Sequence, residues 1–239
     1  RLEMVTKSLS RITARNNRRK AVSAIKIRGG KLTPEVLAAA KEYNKVADHV
    51  SVIECNFEVN VYSIINYIKK YMETYKVKPI VIVDYLQIIP PTDPRQSDKE
   101  KVDSILRGLK KLQSENDLVL FVISSLNRSN YLTPIDFESF KESGGIEFTA
   151  DVVWGLQLKI MNDDIFNKAT KIKEKREKVR KAKKAIPREI ELVCLKNRYG
   201  VTSYSCGFNY DPRFDLFEPD PLYQVAGDFN NTECNEERL

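Results

Sequence analysis

Pro79-Ile80-Val81-Ile82-Val83-Asp84-Tyr85-Leu86-Gln87 is the stretch that decides the fold class. Four consecutive branched apolar residues behind a proline, with no polar residue alternating among them, predict a strand buried on both faces, the habit of parallel sheets covered by helices. The run stops at Asp84. A second run, Leu118-Val119-Leu120-Phe121-Val122-Ile123, predicts another doubly buried strand and stops at the polar cluster Ser124-Ser125-Leu126-Asn127-Arg128. Between the two, Ser97 and Glu100 have the spacing of a capping box, and Val102, Ile105, Leu106, Leu109 and Leu112 recur at helical period behind them. Strand, helix, strand in that order is the unit of an α/β protein with a mostly parallel sheet.

Upstream, Thr33-Pro34-Glu35 supplies a cap, a first-turn proline and a first-turn acid, predicting a helix toward His49. Residues 50–55 then read as a short strand, and Asn60 as the cap of a helix with Val61, Ile64, Ile65 and Ile68 on one face. Downstream, 151–158 and 189–195 read as further strands, and a hairpin turns near Tyr199-Gly200 and returns through Thr202 to Tyr210.

Composition bounds the function. The 239 residues are 42% hydrophobic and 31% charged, enough apolar material for one sizeable core. The formal charge of +7 comes from one place: residues 168–184 hold ten basic residues against Glu174 and Glu177, a local excess larger than that of the whole chain. This run reads as an exposed helix or insertion, either a plain solvated surface or a binder of phosphate. Residues 218–239 read as an acidic tail with little order. Four cysteines without C-x-x-C spacing and a single histidine, His49, exclude a disulfide framework and a Cys/His zinc site, and argue against serine-protease and His-metal chemistry. No run approaches the roughly 18 residues of a membrane span and the N-terminus lacks a signal core, so we expect a soluble, cytoplasmic protein with no membrane partner. Arginine at position 1 suggests a fragment or a processed product.

Ligands of parallel sheets bind beyond the carboxyl ends of the strands, which makes Asp84 and Ser124-Ser125 the first candidates. A carboxylate on a rigid strand end suits a water of a Mg²⁺ shell, although many such aspartates only cap the next turn. The nearest approach to a phosphate-cradling loop, Arg28-Gly29-Gly30-Lys31-Leu32-Thr33, has Leu32 where a hydroxyl residue is needed and follows a helix, so it reads as the loop before the Thr33 helix.

Five segments in order add a more specific signal: Leu2-Glu3-Met4 with Leu9 and Arg11; Ile82-Val83-Asp84-Tyr85-Leu86-Gln87; Ser124-Ser125-Leu126-Asn127-Arg128; Glu142-Ser143-Gly144-Gly145-Ile146-Glu147 with Ala150-Asp151-Val152-Val153; and Lys196-Asn197-Arg198-Tyr199-Gly200. With them the sequence resembles the RecA-like motor domain of DnaB-type replicative helicases over residues 1–217, apart from the basic insertion at 168–184. The resemblance implies a RecA-like three-layer α/β fold with a mostly parallel central sheet and a C-terminal antiparallel hairpin. It implies ATP-driven translocation on single-stranded DNA by a homo-oligomeric ring, usually a hexamer, with ATP and Mg²⁺ at the site and a primase or helicase loader as further partners.

Residue by residue, Glu3 matches the glutamate that activates the attacking water and Asp84 the Mg²⁺-directing aspartate. Lys196 and Arg198 match the basic pair that reaches into the neighbouring subunit's nucleotide site. Ser125 stands at the γ-phosphate-sensing position, where the family usually has glutamine. Lys141, Glu142 and Gly144 match loop positions that follow the DNA backbone, the glycines also reading as a turn with positive φ. The family's P-loop, expected ahead of Glu3, is not among these 239 residues, so the chain alone is expected to bind ATP poorly. That departure and Ser125 leave a second reading, a non-hydrolysing ring or helicase-loading component that binds DNA without turning over ATP.

Overall fold

A computed structural model describes residues 1–141, 143–167, 171–202 and 204–222. The elements in chain order are α1 (Leu2–Asn16), α2 (Ala24–Arg28), α3 (Pro34–Ala47), α4 (Val61–Tyr75), β1 (Ile80–Val83), α5 (Asp98–Asn116), β2 (Val119–Val122), α6 (Ser143–Thr149), β3 (Val152–Leu158), α7 (Asp164–Asn167), α8 (Ile172–Lys184), β4 (Arg188–Asn197), β5 (Ser205–Asp211) and β6 (Leu216–Pro219). β1 and β2 form a parallel pair, and the other strands form a sheet in the order β3-β4-β5-β6. The chain divides into two compact units, one of residues 1–54, 156–192 and 205–222 and one of 55–155 and 193–204, so that β3 and β4 each begin in one and end in the other.

The second unit is built on α5. Ser97 Oγ accepts the Glu100 N–H and Glu100 returns a carboxylate to the Ser97 N–H, so both ends of the capping box are made. Val102, Ile105, Leu106 and Leu109 of α5 are buried against Val61, Val83, Leu86 and Ile146. Ile68 and Leu112 form a second cluster with Leu118. Gly108 lets α4 approach α5, because a Cβ there would meet Val61 Cγ2 at 3.3 Å.

Two expectations are corrected here. Residues 51–55 run as coil, not as a strand, because a strand needs a ladder partner and none of the described strands pairs with them. The runs in β1 and β2 form strands but are not buried on both faces: Ile80 is 69% and Ile82 67% exposed, while Val83, on the face that packs against α4 and α5, is buried. Among the described residues one layer covers this pair, the α4–α5 side, and the apolar second face stays open.

The first unit packs α1, α2 and α3 around Leu9, Val22, Ile27, Val36 and Ala39. Thr33 caps α3 as expected, its hydroxyl accepting from the Val36 N–H, with Pro34 at the first position. Asp211, at the end of β5, is fully buried and holds Arg18 at 2.6 Å and Arg213 at 2.7 Å. Tyr210 donates to Asp215 at 2.7 Å, and burial with that hydrogen bond pushes its phenol up to about 12. The ordered chain also runs past Phe217: Glu218 lies in β6 and pairs with Arg18, and Asp220 pairs with Lys159. The remaining acidic tail lies outside the described residues.

Candidate active site

Parallel pairing of β1 with β2, in the register Ile80 with Val119 through Val83 with Val122, brings the carboxyl ends of both strands to one edge. Asp84 therefore sits beside Ser124 and Ser125. Gln87 ties the two strand ends together: its amide donates to Ser124 Oγ at 2.7 Å, and its carbonyl accepts the Ser125 N–H at 3.0 Å. The Leu86 N–H adds a backbone bond to the Ile123 carbonyl at 2.8 Å, and the Asp84–Tyr85 peptide bond is cis. The Asp84 carboxylate is exposed and makes no hydrogen bond or ion pair with a described residue.

Among the described residues no three His, Cys, Asp or Glu groups cluster as a metal cage. One open carboxylate at a strand end is too little to hold a protein-caged ion, but it suits Mg²⁺, which keeps several waters and shares its remaining ligands with substrate phosphates.

Ser125 also anchors the next segment, since its carbonyl accepts the Lys141 N–H at 3.1 Å and Leu126 bridges to Phe140. The exposed Lys141 side chain leaves from this edge, while Glu142 lies outside the described residues. Gly144 and Gly145 form the first turn of α6, not a turn with positive φ, and Gly30 is the glycine with φ of +86°. Their needs differ. Nothing lies within 4 Å of a Cβ added to Gly144, whereas one added to Gly145 would stand 2.1 Å from Asp103 Oδ1 and 3.2 Å from Leu106 Cδ1. Gly144→Ala is thus expected to leave stability unchanged or raise it by up to about 1 kcal/mol, while Gly145→Ala is expected to cost about 1–3 kcal/mol. Urea midpoints of the two variants check this, and equal shifts would contradict the α5–α6 contact.

Lys196 and Arg198 follow on the β4 side. Arg198 lies 3.0 Å from Asp151 Oδ1, close enough for an ion pair though not aligned as a hydrogen bond, and its backbone N–H donates to the Asp151 carbonyl at 2.9 Å. Lys110 holds the other Asp151 oxygen at 2.6 Å. Lys196 Nζ donates to the Glu147 carbonyl at 2.6 Å. Arg198 lines a shallow recess of about 280 Å³ with Arg107, Lys110, Lys111 and Phe148, four cations with no acid on the wall. Two of these cations share the Asp151 carboxylate, and Lys111 lies 3.7 Å from Glu115. Gln87, Asp151 and the Arg107-Lys110-Lys111 face were not singled out as site residues from sequence; the only signal for the last was three cations at i, i+3 and i+4 on the polar side of α5.

Glu3 lies in the other unit, exposed in the first turn of α1. It is 3.2 Å from Lys7, whose amine is raised above the ordinary lysine value by that partner first and by Asp215 next.

A family model for the DnaB-like helicase C terminal domain matches residues 1–219. The replicative DNA helicase DnaB of Helicobacter pylori is 30% identical over 203 residues, covering 74% of this chain and 41% of that protein. Its counterpart from another strain is 29% identical over 156 residues, covering 56% of this chain and 32% of that protein. The chain thus spans well under half the length of either curated relative. A DnaB-like replicative helicase, solved in work that also treats its interactions with primase, superposes with a TM-score of 0.67 at 17% identity, covering 90% of this chain and 47% of that one. A second solved structure, an ATPase domain, superposes at 0.69 and 17% identity over 91% of this chain and 70% of that one. The fold is RecA-like, as the sequence implied, and from the match across residues 1–219 the chain belongs to the DnaB-like helicase C terminal domain family.

Proposed function

We propose that this chain is the motor part of an ATP-driven replicative DNA helicase that moves along single-stranded DNA as a homo-oligomeric ring, most simply a hexamer. The observation that carries the reading is the strand edge where Asp84, Gln87, Ser124 and Ser125 meet, fixed by the parallel register of β1 and β2. Phosphoryl transfer asks for an oriented water and fixed charges more than for covalent chemistry. Mg²⁺, when bound with ATP, neutralises charge on the phosphate oxygens. Asp84, at a rigid strand end, is the residue that would hold such an ion, through a water. Glu3 orients and deprotonates the attacking water, using a carboxylate that a lysine already steadies. Ser125 reads the γ-phosphate state and passes it to Lys141 through one backbone hydrogen bond. Lys141, Glu142 and Gly144 follow the DNA backbone.

Lys196 and Arg198 serve the nucleotide of the neighbouring subunit, where an arginine stabilises charge that builds at the transition state. To reach it, Arg198 exchanges Asp151 for phosphate oxygen, and Lys110 stays to satisfy the carboxylate. A primase or loader is a further partner in this reading, because a helicase of the same fold has been studied with primase.

The test is ATP hydrolysis by the native protein with and without single-stranded DNA, in wild type and Asp84→Asn. The reading expects DNA-stimulated turnover that needs Mg²⁺ and falls at least about 100-fold in the variant. Salt-sensitive DNA binding without any turnover would instead favour the non-hydrolysing ring or loading component.

A further inference from the structure

The basic insertion is not used by the nucleotide edge or by the Lys141 loop, and its helix is sorted by charge. α8, within the first unit, turns inward Val179, which is buried, and Lys175 and Lys178, whose ammonium groups reach the Phe166 carbonyl at 3.1 Å and Asp163 at 3.2 Å. At 100° per residue, Lys173, Arg176, Arg180, Lys183 and Lys184 all fall within roughly 100° of one another on the other side. All five are exposed. Glu177 engages Arg180 through two hydrogen bonds of 2.8 and 3.0 Å, whereas Lys173, Arg176, Lys183 and Lys184 have no acidic partner among the described residues. The result is a face of five cations, a stripe spread over about 16 Å, at intervals of three, four, three and one residues.

We propose that this stripe is a second nucleic-acid contact, which grips the phosphodiester backbone without reading bases, apart from the loop at Lys141. Five cations on one exposed face, four of them outside any ion pair among the described residues, suit the phosphates of a nucleic-acid backbone, and binding gains from each counterion released. Two other polyanionic partners fit less well. A membrane-surface helix needs an apolar face, and Ile172 is the one large apolar side chain that α8 exposes. A protein partner needs aromatic or aliphatic anchors at the centre of its interface, and the stripe contains none.

The proposal does not depend on ATP turnover, so the test is made without nucleotide. Fluorescence anisotropy measures binding of the native protein to a labelled single-stranded oligonucleotide, and to the same sequence as a duplex, across a series of NaCl concentrations. The compared proteins are wild type, Lys173→Ala/Arg176→Ala/Lys183→Ala/Lys184→Ala, and a control with equal charge removed at exposed positions of other helices, Lys41→Ala/Lys45→Ala/Lys69→Ala/Lys70→Ala. The stripe variant is expected to bind at least about 10-fold more weakly at 100 mM NaCl, with the slope of log K against log salt shallower by about 2–3 on single strands. The control is expected to stay within about twofold of wild type. Circular dichroism confirms that α8 remains helical, which alanine favours. A larger loss on one nucleic acid than on the other identifies the form that is gripped. Unchanged affinity and slope for the stripe variant overturn the proposal, as does an equal loss in the control or equal competition from vesicles of phosphatidylserine.

Discussion

On the proposed function, Arg198→Ala is expected to lower ATP turnover by the native protein about 10³-fold or more, the range for removing an arginine that meets the transferring phosphoryl group, while DNA binding and nucleotide affinity change little. The expectation follows from where Arg198 stands. Its guanidinium lines a cationic recess, and among the described residues its one carboxylate partner, Asp151, is already shared with Lys110. An arginine whose departure leaves its partner still paired can move to phosphate without leaving a bare carboxylate behind. Asp151→Asn is then a mild variant, because it releases Arg198 and leaves the backbone bond from the Arg198 N–H to the residue 151 carbonyl in place. Steady-state turnover and nucleotide titrations of both variants separate the roles: a large fall in turnover for Asp151→Asn with a small one for Arg198→Ala would reverse them.

The largest stability effect is expected at Asp211, in the other unit. Its carboxylate is fully buried between Arg18 and Arg213, so Asp211→Asn sets an amide against two guanidinium groups. Both arginines are partly exposed and regain water, which holds the loss at neutral pH to about 2–3 kcal/mol, or roughly 5–10 °C in Tm. Arg213 first, through its hydrogen bonds, and then Arg18 hold the Asp211 carboxyl below the ordinary carboxylate range, against a burial effect that raises it. A group depressed in the folded state contributes stability that is fully present above its unfolded value of about 3.9 and is lost as pH falls toward its folded value. Thermal unfolding of wild type and Asp211→Asn is therefore expected to differ most at neutral pH and to converge only as pH falls below the ordinary carboxylate range. A constant gap across that window would remove the charge from the explanation.

Much of the second unit was legible in the sequence because its signals are local. The Ser97–Glu100 box, the α5 periodicity and the stop at Asp84 each depend on neighbours within a few residues, and all three stand in the structure. Failures came where the outcome depends on distant partners. Residues 51–55 have strand-like composition but no ladder to join. Ile80 and Ile82 read as buried on both faces, yet burial of a second face requires a layer that the described residues do not provide. Gly144 and Gly145 read alike as turn residues, but only contact with Asp103 and Leu106 of α5 separates the one that must be glycine from the one that need not be. The site divides in the same way. The positions of Asp84 and Ser125 at strand ends could be read from the sequence, whereas Gln87, whose amide bonds Ser124 and Ser125, and Asp151, which restrains Arg198, emerge only once the chain is folded.

In the proposed ring, each ATP site joins the Asp84 edge of one subunit to Arg198 of the next. Mixing equal amounts of native protein bearing Asp84→Asn with native protein bearing Arg198→Ala, each inactive alone, tests it most directly. Random assembly puts an intact Asp84 beside an intact Arg198 at about a quarter of the sites, so the account predicts ATP turnover recovering to about that fraction of wild type. No recovery, from mixtures shown to exchange subunits, would place both residues in one chain's site and contradict it.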